Sequence, residues 1–174
     1  MFRTIHRPLS PQAEAAARNL ATLGRNAESD SIDKQAYHQA ARKMLKQLAV
    51  ALGLQQGEYD IRTNYGGSAV AGESTLHCDF LYVQVCTALG REPSVLFRAC
   101  KSRKDCVGFS NQWTGVEDLA EPTRLINILR RTPSMFIALD ARAIQRLEEL
   151  HLVLPGGAVV DSEVRGQLAL DVAA

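Results

Sequence analysis

Apolar residues recur every three or four positions in the first third of the chain, which is the spacing of helices with one buried face. Ala16, Leu20 and Leu23 share a face within the alanine-rich run Ala13–Leu23. Ser10 offers an N-cap and Pro11 suits the first helical position, while Gly24 is placed to end the helix. A second, longer helix follows a polar loop at Arg25–Ser31. Tyr37, Ala40, Ala41, Met44, Leu45 and Leu48 carry its stripe, Asp33 caps it, and Gly53 stops it near Leu52. Two such faces are expected to cover a sheet.

After residue 58 the period shortens to two. Tyr59–Asn64 reads as a strand closed by Gly66 and Gly67, and Ala69–Ala71 as a short strand closed by Gly72. Leu76–Cys86 reads as one long strand, with Leu81, Val83 and Val85 on an apolar face and Cys78, Phe80, Tyr82, Gln84 and Cys86 on a mixed one. Val95–Cys100 follows after a connection through Gly90 and Pro93. That connection is too short for a parallel crossover, so the two strands should pair antiparallel. Leu96 is expected in the core with Leu81, Val83 and Val85. Gly108–Gly115 reads as irregular chain. Glu121-Pro122-Thr123 opens a third helix at Arg124–Arg131, which Thr132-Pro133 breaks. Met135–Leu139 reads as a strand, or else as the start of one helix to Leu150. The preferred reading is a short strand followed by a helix at Ala141–Leu150. Leu152–Leu154 and Ala158–Val160 flank Pro155-Gly156-Gly157 as a hairpin or loop.

The order of these elements predicts an α+β fold: an antiparallel β-meander over about residues 59–101, packed against N-terminal and C-terminal helices. Alternating βα units are missing from the first hundred residues, which disfavours a nucleotide-binding parallel sheet. The 174 residues are expected to form a single domain. Residues 1–9 are expected to form a loose arm. A boundary near Thr132 would make residues 133–174 a small C-terminal subdomain, although about forty residues are few for independent folding.

Composition narrows the function classes. The hydrophobic fraction is 46%, high enough to exclude wholesale disorder, and the net charge of +1 leaves no molecule-wide attraction to nucleic acid or lipid. Any such attraction must come from a local patch. No apolar run is long enough for a membrane span, and MFRTIHRPLSPQ lacks the apolar core of a secretory signal. The expected compartment is the cytoplasm, with no membrane partner and with Cys78, Cys86, Cys100 and Cys106 as reduced thiols.

The candidate chemistry lies between residues 75 and 113. The cysteines and His77 have the atoms for a zinc site but not the spacing. There is no C-x-x-C pair. His77 and Cys78 face opposite ways on a strand, and Cys78 and Cys86 would lie roughly 26 Å apart along an extended chain. The cysteines therefore read as small buried hydrophobes, with no metal and no cofactor expected. His77 and Asp79, two apart on one strand, would share a face, and a carboxylate beside an imidazole can orient it and raise its pKa. No nucleophile elbow, H-E-x-x-H helix or phosphate-binding glycine loop accompanies them.

Arg98, Lys101, Arg103 and Lys104 place four cations within seven residues, opposed by Asp105, with Phe109 and Trp113 nearby to stack on bases. The same charges would also serve as a solvated turn that keeps a sheet edge from aggregating. Arg124, Arg130 and Arg131 would enlarge the patch if the third helix lay beside it. Two functional readings remain. In the first, a non-catalytic cytosolic binding protein (an adaptor, inhibitor or subunit) holds a protein or nucleic-acid partner through Arg98, Lys101, Arg103, Lys104 and Trp113. The alternative is a small metal-independent hydrolase or transferase using His77 and Asp79.

Overall fold

The computed structural model describes residues 9–27, 32–66, 70–88, 91–108, 110–130, 145, 149, 153–154 and 158–159. Helices α1 (Pro11–Asn26) and α2 (Ile32–Ala51) precede strands β1 (Tyr59–Asn64), β2 (Val70–Cys78), β3 (Leu81–Ala88), β4 (Ser94–Ala99) and β5 (Gln112–Gly115). Helices α3 (Val116–Ala120) and α4 (Pro122–Arg130) follow, then the short strands β6 (Val153–Leu154) and β7 (Ala158–Val159). Strands β1 to β5 form one sheet in sequence order, and every neighbouring pair is antiparallel. This is the expected α+β meander with one more strand, because the stretch taken as irregular contains β5.

The helix ends follow from local chemistry. Ser10 caps α1 by accepting a hydrogen bond from the Ala13 N–H at 3.2 Å. Gly24 does not end α1, which continues to Asn26. A Cβ at Gly24 would meet Pro93 Cδ at 3.0 Å, so the glycine serves close packing between the helix and the chain entering β4. At the end of α2 the chain turns through Gly53 at φ 69°, and the Leu54 N–H reaches back to the Ala49 carbonyl at 2.9 Å. Asp33 lies in the first turn of α2 rather than before it.

The run Leu76–Cys86 is two strands, not one. β2 ends at Cys78, Asp79-Phe80 forms a tight turn, and β3 starts at Leu81, with His77 opposite Tyr82. The turn shifts the inward phase from even to odd positions. Ser74, Leu76 and Cys78 are buried from β2, and Leu81, Val83 and Val85 from β3. Ile61, Leu76, Val83 and Phe97 then line up across four strands, and the buried Tyr37, Ala41, Leu45 and Leu48 of α2 belong to the same core. Leu96 is buried as expected, but it points away from this core: it pairs with Gln84 and Trp113, on the opposite face from Val95 and Phe97.

Gly72 marks an irregularity in β2, where the pairing with β3 shifts between Val70 and Glu73. It sits inside the strand rather than closing one. Its φ is 81°, and a Cβ there would lie 2.2 Å from the Asn64 carbonyl oxygen. The third helix expected at Arg124–Arg131 appears as α4, starting earlier at Pro122 and preceded by the separate α3. β6 and β7 pair antiparallel, Val153 with Val159 and Leu154 with Ala158, as the hairpin reading expects. The loose arm, the Met135–Leu139 segment and most of Ala141–Leu150 lie outside the described residues, although Gln145 and Glu149 are helical and hydrogen-bonded to each other.

Two stability outcomes follow. Val83→Ala should cost about 1–3 kcal/mol in denaturant unfolding, because it removes buried methyls from the centre of the sheet. Gly72→Ala should destabilise as well, through the forbidden approach to Asn64. Amide exchange should then show the β1–β2 pairing opening before the β3–β4 pairing, and an unchanged order of opening would refute the role given to Gly72.

Candidate nucleic-acid interface

The helices pack on one face of the sheet, and alternation turns the other residues of each strand outward. Three outward rows result. Asp60, His77, Tyr82 and Arg98 form the row nearest the 100–108 loop. Arg62, Thr75, Gln84, Leu96 and Trp113 form the second, and Asn64, Glu73, Cys86, Ser94 and Gly115 the third. Most of these side chains are half-buried, while Arg62, Asn64 and Trp113 are exposed and Leu96 is buried.

The first row is a stack. The His77 ring meets Tyr82 edge-on at 5.3 Å, and the Arg98 guanidinium carbon lies 4.1 Å over the Tyr82 ring. Arg98 is held flat by its other bonds: one amine donates to the Cys106 carbonyl at 2.8 Å and the other to Asn111 Oδ1 at 3.2 Å. Gly108, at φ 62°, approaches the inner part of this side chain, where a Cβ would stand 2.7 Å from Arg98 Cδ and Nε. Below the stack, the Tyr82 hydroxyl donates to Gln84 Oε1 at 2.9 Å, and the Gln84 amide donates to Glu73 at 2.6 Å. Burial is the main cause that lowers the His77 pKa. The Arg98 charge acts in the same direction, and the neighbouring Ser102 backbone opposes it. Burial likewise raises the Tyr82 phenol and the Cys86 thiol and keeps both protonated.

Asp105 organises the loop beyond this row. One of its oxygens accepts from the Gly108 N–H at 2.8 Å and the Val107 N–H at 3.2 Å, and the other from the Lys101 N–H at 3.0 Å. These bonds are the main reason its carboxyl titrates below the usual range. An anion at the centre of a basic segment is therefore a scaffold for that segment, and it leaves Lys101 and Lys104 with exposed side chains. Arg103 is used internally: it lies 3.4 Å from Asp79 and donates to the Gly57 carbonyl. The loop thus runs from the end of β4 past the β2–β3 turn towards β1. An open depression of about 450 Å³ lies on it, lined by Lys101, Ser102, Lys104, Asp105, Val107 and Gly108.

Of the five binding residues expected from sequence, Arg98 and Arg103 hold the structure together, while Lys101, Lys104 and Trp113 face solvent. His77 and Asp79 do not form a pair. Asp79 sits in the β2–β3 turn and bonds to Arg103, whereas His77 lies on the outer face against Tyr82 and Ser102. Arg124 is drawn to Asp118 at 3.1 Å, and Asp118 also accepts from Thr114; the side chain of Arg130, together with Arg131 and Phe109, lies outside the described residues. Among the described residues no group of three His, Cys, Asp or Glu side chains converges as a metal site, and Cys78 and Cys100 are buried thiols whose pKa burial raises to about 11 and about 12.

A buried polar chain was missed from sequence. His38 of α2 reaches Ser74 of β2 at 3.1 Å, and Ser74 reaches Thr63 of β1 at 3.2 Å. Both His38 and Ser74 are fully buried, so the chain fixes α2 on the sheet rather than meeting a ligand. The signal for it was the spacing, since His38 falls on the same helical face as Lys34, Ala41 and Leu45. No protein-family model, curated protein or solved structure matches the chain.

The Asp105 scaffold gives a pH outcome. The folded carboxyl has a lower pKa than the unfolded one, so its stabilising effect is present at neutral pH and is lost as the pH falls through the folded value. The Gly108 amide resonance should titrate with a midpoint below 3.8, the ordinary aspartate value. A midpoint at or above 3.8 would contradict the scaffold role.

Proposed function

We propose that the protein is a non-catalytic binding protein that holds a nucleic-acid partner through its 98–113 segment. The observation that carries this reading is the loop itself. Asp105 spends its oxygens on backbone N–H groups, and in doing so it folds a short basic segment so that Lys101 and Lys104 project into solvent beside a depression. Lysines presented this way are suited to phosphate oxygens, which ask for charge more than for fixed geometry. Catalysis has no comparable support, because Asp79 pairs with Arg103 in the β2–β3 turn while His77 lies against Tyr82 on the outer face.

The test is the salt dependence of binding to a mixed-sequence oligonucleotide. Affinity should fall linearly on a log–log plot as salt rises. Replacing Lys101 and Lys104 together with Gln should reduce the slope by about 1.5, because each lost phosphate contact removes about 0.7–0.9. The melting temperature should stay unchanged, since neither side chain is buried. A double variant with wild-type slope and affinity would sink the reading, as would wild-type protein that retains no nucleic acid at low ionic strength. Arg103 is left out of the test because its loss would release Asp79 and disturb the loop.

A further inference from the structure

The outer face of the sheet is continuous with the basic loop. The Arg98 guanidinium bonds to the Cys106 carbonyl and Gly108 packs against the same side chain, so the loop folds back against the first outward row. Beyond that row the face presents planar groups. The Arg98 guanidinium is stacked on Tyr82 and pinned by the Cys106 carbonyl and Asn111. Trp113, the chain's single tryptophan, is 59% exposed on the edge strand β5. Gln84 and Asn111 place amides among these planes.

We propose that this face, resting on the nucleic-acid reading of the loop, binds a single strand. One base stacks on Trp113 and another on the Arg98–Tyr82 plane, and the phosphates run towards Lys101 and Lys104. Three observations select this occupant. A protein interface needs an apolar core, and among the described residues this face and its loop expose Trp113 and Val107 at separate places, with Leu96 already buried. A duplex hides its base planes, so it would use the lysines and leave the stacking groups idle. An unpaired strand uses both, since single-strand sites combine a cationic track with rings on which bases lie. The charge fits the same direction. Arg62 faces Asp60 at 3.8 Å and Glu73 is taken by Gln84, so the positive end of the face is the loop end. Stacking on the planes and charge at the lysines do not depend on a ribose hydroxyl, so RNA and DNA should bind alike.

The experiment uses the full chain with oligodeoxythymidylate, oligouridylate and a duplex of equal length at low salt. Both single strands should quench Trp113 fluorescence, bind within a few-fold of each other, and bind at least about 10-fold more tightly than the duplex. Trp113→Leu should weaken single-strand binding about 10-fold, the size of one stacked base, and leave duplex binding unchanged. Tyr82→Leu, which removes the support beneath Arg98, should do the same, with Trp113 fluorescence still reporting the complex. Equal affinity for duplex and single strand, with both variants neutral, would overturn the stacking face while the lysine loop stands. Absence of any nucleic-acid binding, or retention of a protein partner in nuclease-treated extract without oligonucleotide affinity, would overturn both.

Discussion

Helix α2 lies on β1 and β2 with Tyr37, His38, Ala41, Leu45 and Leu48 buried, and the cross-strand register carries the orientation set there through β3 and β4. A strand alternates sides, so burying Leu76, Val83 and Phe97 under helices commits Thr75, Tyr82, Gln84 and Arg98 to the other side. The contact is apolar along most of its length, with the buried Lys34 and His38 as polar residues on the same helical face. There His38 meets the Ser74–Thr63 rung, and a slipped register would leave buried polar atoms without partners. Apolar burial thus supplies the driving force, and the polar rung selects one register from those that would bury similar area.

The loop at the end of the sheet is held by a different kind of force. It has little apolar content, so its shape comes from an anion collecting backbone N–H groups and from a glycine that lets Arg98 pass. This division explains why cations so close in sequence have unlike roles. Arg98 and Arg103 have the reach and the planar donors to tie the loop to Cys106, Asn111, Asp79 and Gly57. Lys101 and Lys104 point outward and supply the charge a phosphate would meet.

Much of the fold was legible in the sequence. The bounds of β1 and the stripe of α2 follow from periodicity, and the antiparallel pairing of β3 with β4 follows from the short connection between them. What misled was Leu76–Cys86, where the turn at Asp79-Phe80 has no glycine or asparagine to announce it. Tertiary contact holds that turn: Phe80 is buried, and its carbonyl accepts the Cys100 N–H at 3.2 Å. The sign of the turn was a phase change, with apolar residues at 76 and 78 and then at 81, 83 and 85, which a single strand could not bury on one face. The candidate site was picked out in the sequence only as a cluster of cations near a tryptophan, and the structure shows Lys101, Lys104 and Trp113 exposed there. Individual roles were not legible, because whether an arginine faces solvent or a carbonyl depends on residues brought near only by folding, such as Gly57 and Asp79 for Arg103.

The central claim is that ligand meets the outward rows and the loop while the inward rows stay untouched. Amide and side-chain chemical shifts of labelled protein, followed as oligouridylate is added, test it most directly. The account predicts changes at Lys101, Lys104, Gln84, Asn111 and the Trp113 indole, with Leu76, Val83 and Leu45 unmoved. Changes centred on the α1–α2 surface, or none at all at saturating oligonucleotide, would contradict it.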